Sequence, residues 1–197
     1  MPHPVIIALH YQNDVLHADG RIKVGLGEDD LVRSNLIFNA KRLFAESRKL
    51  GWPIIHARVA YRADYGDLIQ NAPILRGVVQ LGAVVDGTWG AEFLEGLEPL
   101  ESGNEFVVTH KRINPFYGTN LESLINKFKA TNLIVAGVAT HSVVESTVRH
   151  AVDCGYVVSV AANACASAAL ETHEASLKSM SLIAKISNVT EVVRELS

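Results

Sequence analysis

The chain has 197 residues, of which 48% are hydrophobic and 20% charged, enough to bury a core of useful size. Its formal net charge is −3, and its nearest approaches to a basic run, Lys41-Arg42 and His110-Lys111-Arg112, are too short to hold a polyanion, which argues against a nucleic-acid partner. No apolar stretch approaches membrane-spanning length and the N-terminus lacks a signal-like apolar segment, so a cytoplasmic protein without a membrane partner is expected.

In chain order, "PVIIALH" (4–10) reads as a short buried strand. A helical pattern then runs from about Asp29 to Leu50, placing Leu31, Leu36, Ile37, Ala40, Leu43 and Phe44 on one face, with Gly51 as its stop. "WPIIHARVA" is a second strand and "EFVVTH" (105–110) a third, followed by a helix near Asn120–Lys129. "NLIVAG" is a fourth strand, leading to a helix from about Val143 to Cys154 that Gly155 ends. "YVVSVAA" is a fifth strand; a helix over about Thr172–Ala184 precedes "KISNVT" and a short last helix. Repeated β-α units with nearly continuous apolar strands predict an α/β fold, a parallel sheet covered on both faces, as one domain over residues 1–197. Residues 61–104, rich in Gly, aromatic and acidic side chains, fit this alternation least, and so long a connection points to function.

Ligands of open α/β sheets lie beyond the carboxyl ends of the strands, near a switch in strand order. His10, His110 and His141 all sit on segments leaving that edge. In "GVATHSVVEST" (137–147), Ser142 and Glu145 have capping-box spacing, which makes Val143 the first helical residue. The backbone N–H groups around Ala139–Val143 would then shelter an oxyanion. Cys154 and Cys165 fit no disulfide framework or zinc spacing and read as small core residues.

Several stretches together resemble the isochorismatase-like hydrolases, also called cysteine hydrolases. "IIALHYQNDVL" is similar to that family's opening strand, "DGTWGAEFLEGLEP" to its middle loop and "VVTHKRINPFYGTNLESLI" to its Lys-bearing strand. "GVATHSVVESTVRHAVDCGYVVSVAANACAS" resembles its nucleophile turn and "THEASLKSM" its penultimate helix, so the likeness spans Val5 to about Val193. The resemblance implies a three-layer, Rossmann-like α/β/α fold with a six-stranded parallel sheet, and commonly a homo-oligomer. It also implies hydrolysis of a small molecule by an Asp base, a supporting Lys and a Cys nucleophile. Here those positions carry His10, His110 and Val143. Lys111 is one residue late, which on a strand turns its side chain to the opposite face unless a bulge intervenes. Ser142 is better placed to cap than to attack.

Two readings follow. In the first, His10 is a base and His110 its partner in an atypical hydrolase, with Ala139 and Val143 giving the oxyanion N–H groups. Its substrate would be small, carboxylated and cleaved at an amide, ureide or vinyl-ether bond. In the second, an inactive family member keeps the pocket to bind a small molecule or serve as a scaffold. A metal held by His10, His110 and His141 ranks third, since no local ligand pair such as H-x-H supports it; no metal or cofactor is assigned. Gln12, Trp89, Phe116, Tyr117 and His141 are expected around the pocket, Gln12 also fastening the loop after strand one with Asn13. Arg58 and Arg62 are candidates for a substrate carboxylate against plain ion pairing, Asn163 is read as structural, and His56 as a satisfied interior histidine at the end of strand two.

Overall fold

The computed structural model describes residues 4–25, 30–101 and 103–197. Its strands are β1 (Pro4–Leu9), β2 (Ile54–Val59), β3 (Glu105–His110), β4 (Asn132–Val138), β5 (Val157–Ala166) and β6 (Lys185–Ser187). They pair in parallel in the order β3-β2-β1-β4-β5-β6. The chain builds outward from β1 to β3, then crosses back to the far side of β1 and continues to β6. Strand order therefore reverses between β1 and β4, and a crevice opens beyond their carboxyl ends.

The central strands are apolar because both of their faces are covered: every residue of β1 is buried, and so is β4 from Leu133 on. The α-helices are α1 (Asn13–Leu16), α2 (Asp30–Lys49), α3 (Pro73–Leu81), α4 (Leu121–Lys127), α5 (Glu145–Asp153), α6 (Leu170–Met180) and α7 (Val189–Leu196). In α2, Leu36, Ala40, Leu43 and Phe44 join the core as expected, whereas Leu31 is exposed. None of the described helices is long and apolar enough to cross a membrane. The expected α/β architecture with a six-stranded parallel sheet is the one observed.

Several boundaries differ, each for a local reason. The segment 61–104 contains α3, whose pattern is obscured by Gly77 and by an apolar face left half open, with Ile74 exposed and Leu75 buried. Strand β5 continues past Ala162 to Ala166 because its register against β4 shifts after Val135, so that Gly137 pairs with Cys165. Gly137 has φ 146°, and a Cβ there would lie 2.3 Å from the Leu9 carbonyl oxygen, so β1 and β4 approach this closely only over a glycine. Helix α6 begins at Leu170 and ends at Met180, earlier than expected. Cys154 is exposed at the end of α5 rather than in the core; Cys165 is buried.

Candidate active site

Strand β1 ends at Leu9, and His10 adopts a left-handed φ of 57°, sterically uncommon for a residue with a side chain. Its N–H still bonds to the Ala57 carbonyl at 2.9 Å, while its carbonyl accepts the Gln12 N–H at 2.8 Å. The backbone therefore leaves the sheet at that residue. His110 ends β3 and is paired with Val59, one strand further out. The two rings meet across the end of β2, with Nε2 atoms 2.7 Å apart, centroids at 4.8 Å and planes inclined by 21°.

The protons in this pair can be ordered from its partners. His110 Nδ1 lies 2.7 Å from the Arg112 carbonyl oxygen, which can only accept, so Nδ1 carries the hydrogen. In a neutral His110, Nε2 then holds a lone pair and accepts from His10 Nε2–H. Burial holds both rings neutral. His10 is lowered well below the ordinary histidine range, first by desolvation and then by the facing His110, against an opposing backbone contact with Val138. His110 is pushed down to about 4, chiefly by desolvation, with its bond to Arg112 opposing and the Lys111 charge assisting.

Lys111 turns away, as strand alternation requires. Its Nζ lies 2.8 Å from Asp67 Oδ2, bonds the Ala60 carbonyl and sits over the Tyr61 ring. His110 is thus the β3 residue that meets His10.

After β4 the chain enters a π-helical turn, Thr140–Val144, before α5. The Val144 N–H reaches back to the Ala139 carbonyl at 3.3 Å, and Ser142 N–H shares that acceptor at 3.1 Å. This corrects the capping-box expectation. Ser142 makes no cap bond, and the Glu145 carboxylate instead accepts from Ser176 Oγ (2.6 Å) and Arg149 (2.7 Å). A capping box forms instead at α7, where Asn188 and Glu191 satisfy each other's backbone N–H groups.

A cavity of about 260 Å³ opens in the crevice. His10, Ala139, His141, Ser142 and Val143 lie on its wall; His110 stands behind His10. The other expected pocket residues are elsewhere. Gln12 is fully buried, donating to the Val59 and Ala91 carbonyls and accepting the Val59 N–H. Trp89 is half exposed against His17, Phe116 stacks on His150, and Tyr117 is 71% exposed. Asn13 holds the Trp89 carbonyl, and Asp14 accepts from Val84 and Arg21, so this corner fastens the middle loop.

Arg58 and Arg62 pair with Asp86 and Asp64 and leave the cavity to Arg112, which sequence reading had not singled out. Arg112 and Tyr61 belong to loops whose course no local pattern specifies. Among the described residues no group of three or more His, Cys, Asp or Glu converges on a metal-sized space. The two Nε2 atoms bond each other, and His141 Nδ1 is 2.8 Å from Ser167 Oγ. Cys165 is buried and its thiol raised to about 12 by desolvation, so it offers no nucleophile. His56 lies within β2 rather than at its end: Nε2 meets Glu105 at 3.0 Å, but Nδ1 is buried without a partner. Asn163 bridges Asn39 and the Val189 N–H, a structural place.

A family model described as "Isochorismatase domain" matches residues 4–192, and the chain belongs to the isochorismatase family. The uncharacterized isochorismatase family protein YecD of Escherichia coli O157:H7 is 27% identical over 162 residues, 82% of this chain and 83% of that protein. A probable inactive nicotinamidase of Arabidopsis thaliana is 34% identical over 102 residues, 51% of this chain and 52% of that one. The crystal structure of an isochorismatase family protein from Desulfovibrio vulgaris subsp. vulgaris str. Hildenborough superposes with a TM-score of 0.84 at 24% identity, covering 100% and 99% of the two chains.

Proposed function

We propose that this protein is an isochorismatase-family hydrolase that uses water directly, with His10 as general base and His110 as the residue that orients it. The observation that carries this is the 2.7 Å Nε2–Nε2 contact, with His10 on the wall of the crevice where strand order reverses. Because His110 Nε2 accepts from His10 Nε2–H, the neutral His10 keeps a lone pair on Nδ1, and its backbone bond with Val138 favours a proton arriving on the ring, the role a general base needs near neutral pH. Water gives a proton to that nitrogen while its oxygen adds to the carbonyl carbon of an amide or ureide. Collapse expels the leaving group, which takes the proton back from the imidazolium. Of the residues 139–143 that line the cavity, His141 and Ser142 have N–H groups bonded to Ser167 and Ala139, so Ala139 and Val143 are assigned to the oxyanion. Val143, at the position where the resemblance expects a cysteine, contributes only its backbone.

The test is incubation of wild type, His10→Ala and His110→Ala with a metabolite pool, followed by mass spectrometry. Loss of one metabolite with wild type alone supports the reading; equal loss with all three refutes it.

A binding protein without turnover is the second reading. It is favoured by a described cavity wall with no thiol or carboxylate, and by the name of the Arabidopsis relative. It predicts ligand-dependent thermal stabilisation with no product.

A further inference from the structure

Within the site just described, and resting on its assignment as the substrate cavity, the wall composition restricts what enters. Helix α3 lays Ile74, Leu75 and Val78 along one side, and Val15, Val59 and Ile113 close much of the rest. Ile74 and Ile113 are both exposed, although each lines the cavity, so a ligand reaching the mouth would cover them. Among the described residues of this wall the one arginine or lysine is Arg112. Its Nη atoms donate to the Ile69 carbonyl at 2.9 Å and to Asn71 Oδ1 at 2.8 Å, both uncharged acceptors that fix the guanidinium without neutralising it. Those bonds use two of its five N–H donors. No Asp or Glu lies on the wall among the described residues. The volume of about 260 Å³ falls just below the ~300–1,000 Å³ of pockets that take drug-sized ligands.

We infer that Arg112 is the anchor for a single carboxylate, and that the site takes small monoanions with a hydrocarbon body rather than dianions or wholly polar molecules. Two opposite charges favour each other across a largely apolar wall, whereas a second carboxylate would meet no second arginine or lysine on the described wall. The same residue ties ligand to chemistry, because it lines the cavity and its carbonyl receives His110 Nδ1–H. Holding the head group at Arg112 therefore sets the distance from the ligand's carboxylate to His10.

The experiment measures binding by calorimetry and thermal shift to three probes: 4-methylpentanoate, 4-methylpentan-1-ol and succinate. None has a bond the site could cleave, so binding is read apart from turnover; binding without any activity elsewhere would remove the hydrolase reading and leave this one standing. 4-Methylpentanoate is expected to bind about tenfold more tightly than the alcohol, the scale of a charge-assisted hydrogen bond. Succinate is expected to give no stabilisation at the same concentration. Arg112→Gln should abolish the preference for acid over alcohol, and Arg112→Lys, which keeps the charge, should retain part of it. Equal binding of acid and alcohol, succinate matching 4-methylpentanoate, a preference surviving in Arg112→Gln, or no binding of any probe would each overturn the proposal.

Discussion

Replacing His110 by Phe tests the pair most informatively, because it keeps a planar ring in the same space and deletes both nitrogens. Two bonds go: the one to the Arg112 carbonyl at 2.7 Å and the one from His10 Nε2–H at 2.7 Å. His110 is 1% exposed, so little water reaches the groups left behind. A buried donor or acceptor stripped of its partner costs about 1–3 kcal/mol. Two such groups give a loss of about 2–6 kcal/mol, offset in part by the greater hydrophobicity of Phe. Urea denaturation at pH 7.5 measures it as a lower midpoint with unchanged slope. His10 itself should still titrate below the ordinary histidine range, since desolvation is the largest cause of its shift and survives the substitution. A loss under about 0.5 kcal/mol, the scatter of unremarkable surface substitutions, would mean that the rings do not bond each other and would refute the reasoning.

Stability should fall on acidification from pH 6.5: the unfolded histidines take protons there, whereas His110 stays neutral to about 4 and His10 and His56 are lowered in the same direction. Each proton not taken up by the fold costs about 1.4 kcal/mol per pH unit. Below about pH 4.5 Glu105, held to about 2 by His56, Arg48 and the Leu100 N–H despite opposing desolvation, adds a loss of the same sign. Urea midpoints that stay flat from pH 7.5 to 5 would contradict this. Gly137→Ala should destabilise by more than about 3 kcal/mol, because Cβ meets the Leu9 backbone and φ is positive; a denaturation midpoint near wild type would count against the packing described. Iodoacetamide should label exposed Cys154 slowly, its thiol being raised, and buried Cys165 only after unfolding, as mass spectrometry would show. Combining His10→Asp, His110→Lys and Val143→Cys should create amidase activity; a folded triple variant with none would show that the rest of the site has diverged too.

The parts of this molecule legible in its sequence are those governed by local pattern. Buried parallel strands announce themselves as apolar runs, so β1 to β5 are visible, and the amphipathic face of α2 is visible for the same reason. Helix α3 is not, because a helix that walls a cavity leaves part of its apolar face open, and Gly77 weakens the pattern further. The placement of His10 and His110 at one sheet edge follows from strand ends, but their contact requires knowing that β2 lies between β1 and β3. Backbone geometry was hidden altogether: neither the left-handed His10 nor the π-helical turn before α5 has a residue signature. Aromatic content misled, since Tyr117 faces solvent and Phe116 packs on His150. Arg112 went unnoticed because only the fold of its loop separates it from Arg58 and Arg62.

The account turns on the order of protons between two rings. Long-range ¹H–¹⁵N correlation spectra of the imidazoles at pH 7 read it directly. Neutral rings are predicted, with hydrogen on Nδ1 of His110 and on Nε2 of His10. A protonated His10, or one whose hydrogen sits on Nδ1, would leave that nitrogen no lone pair for a proton from water and would contradict the mechanism.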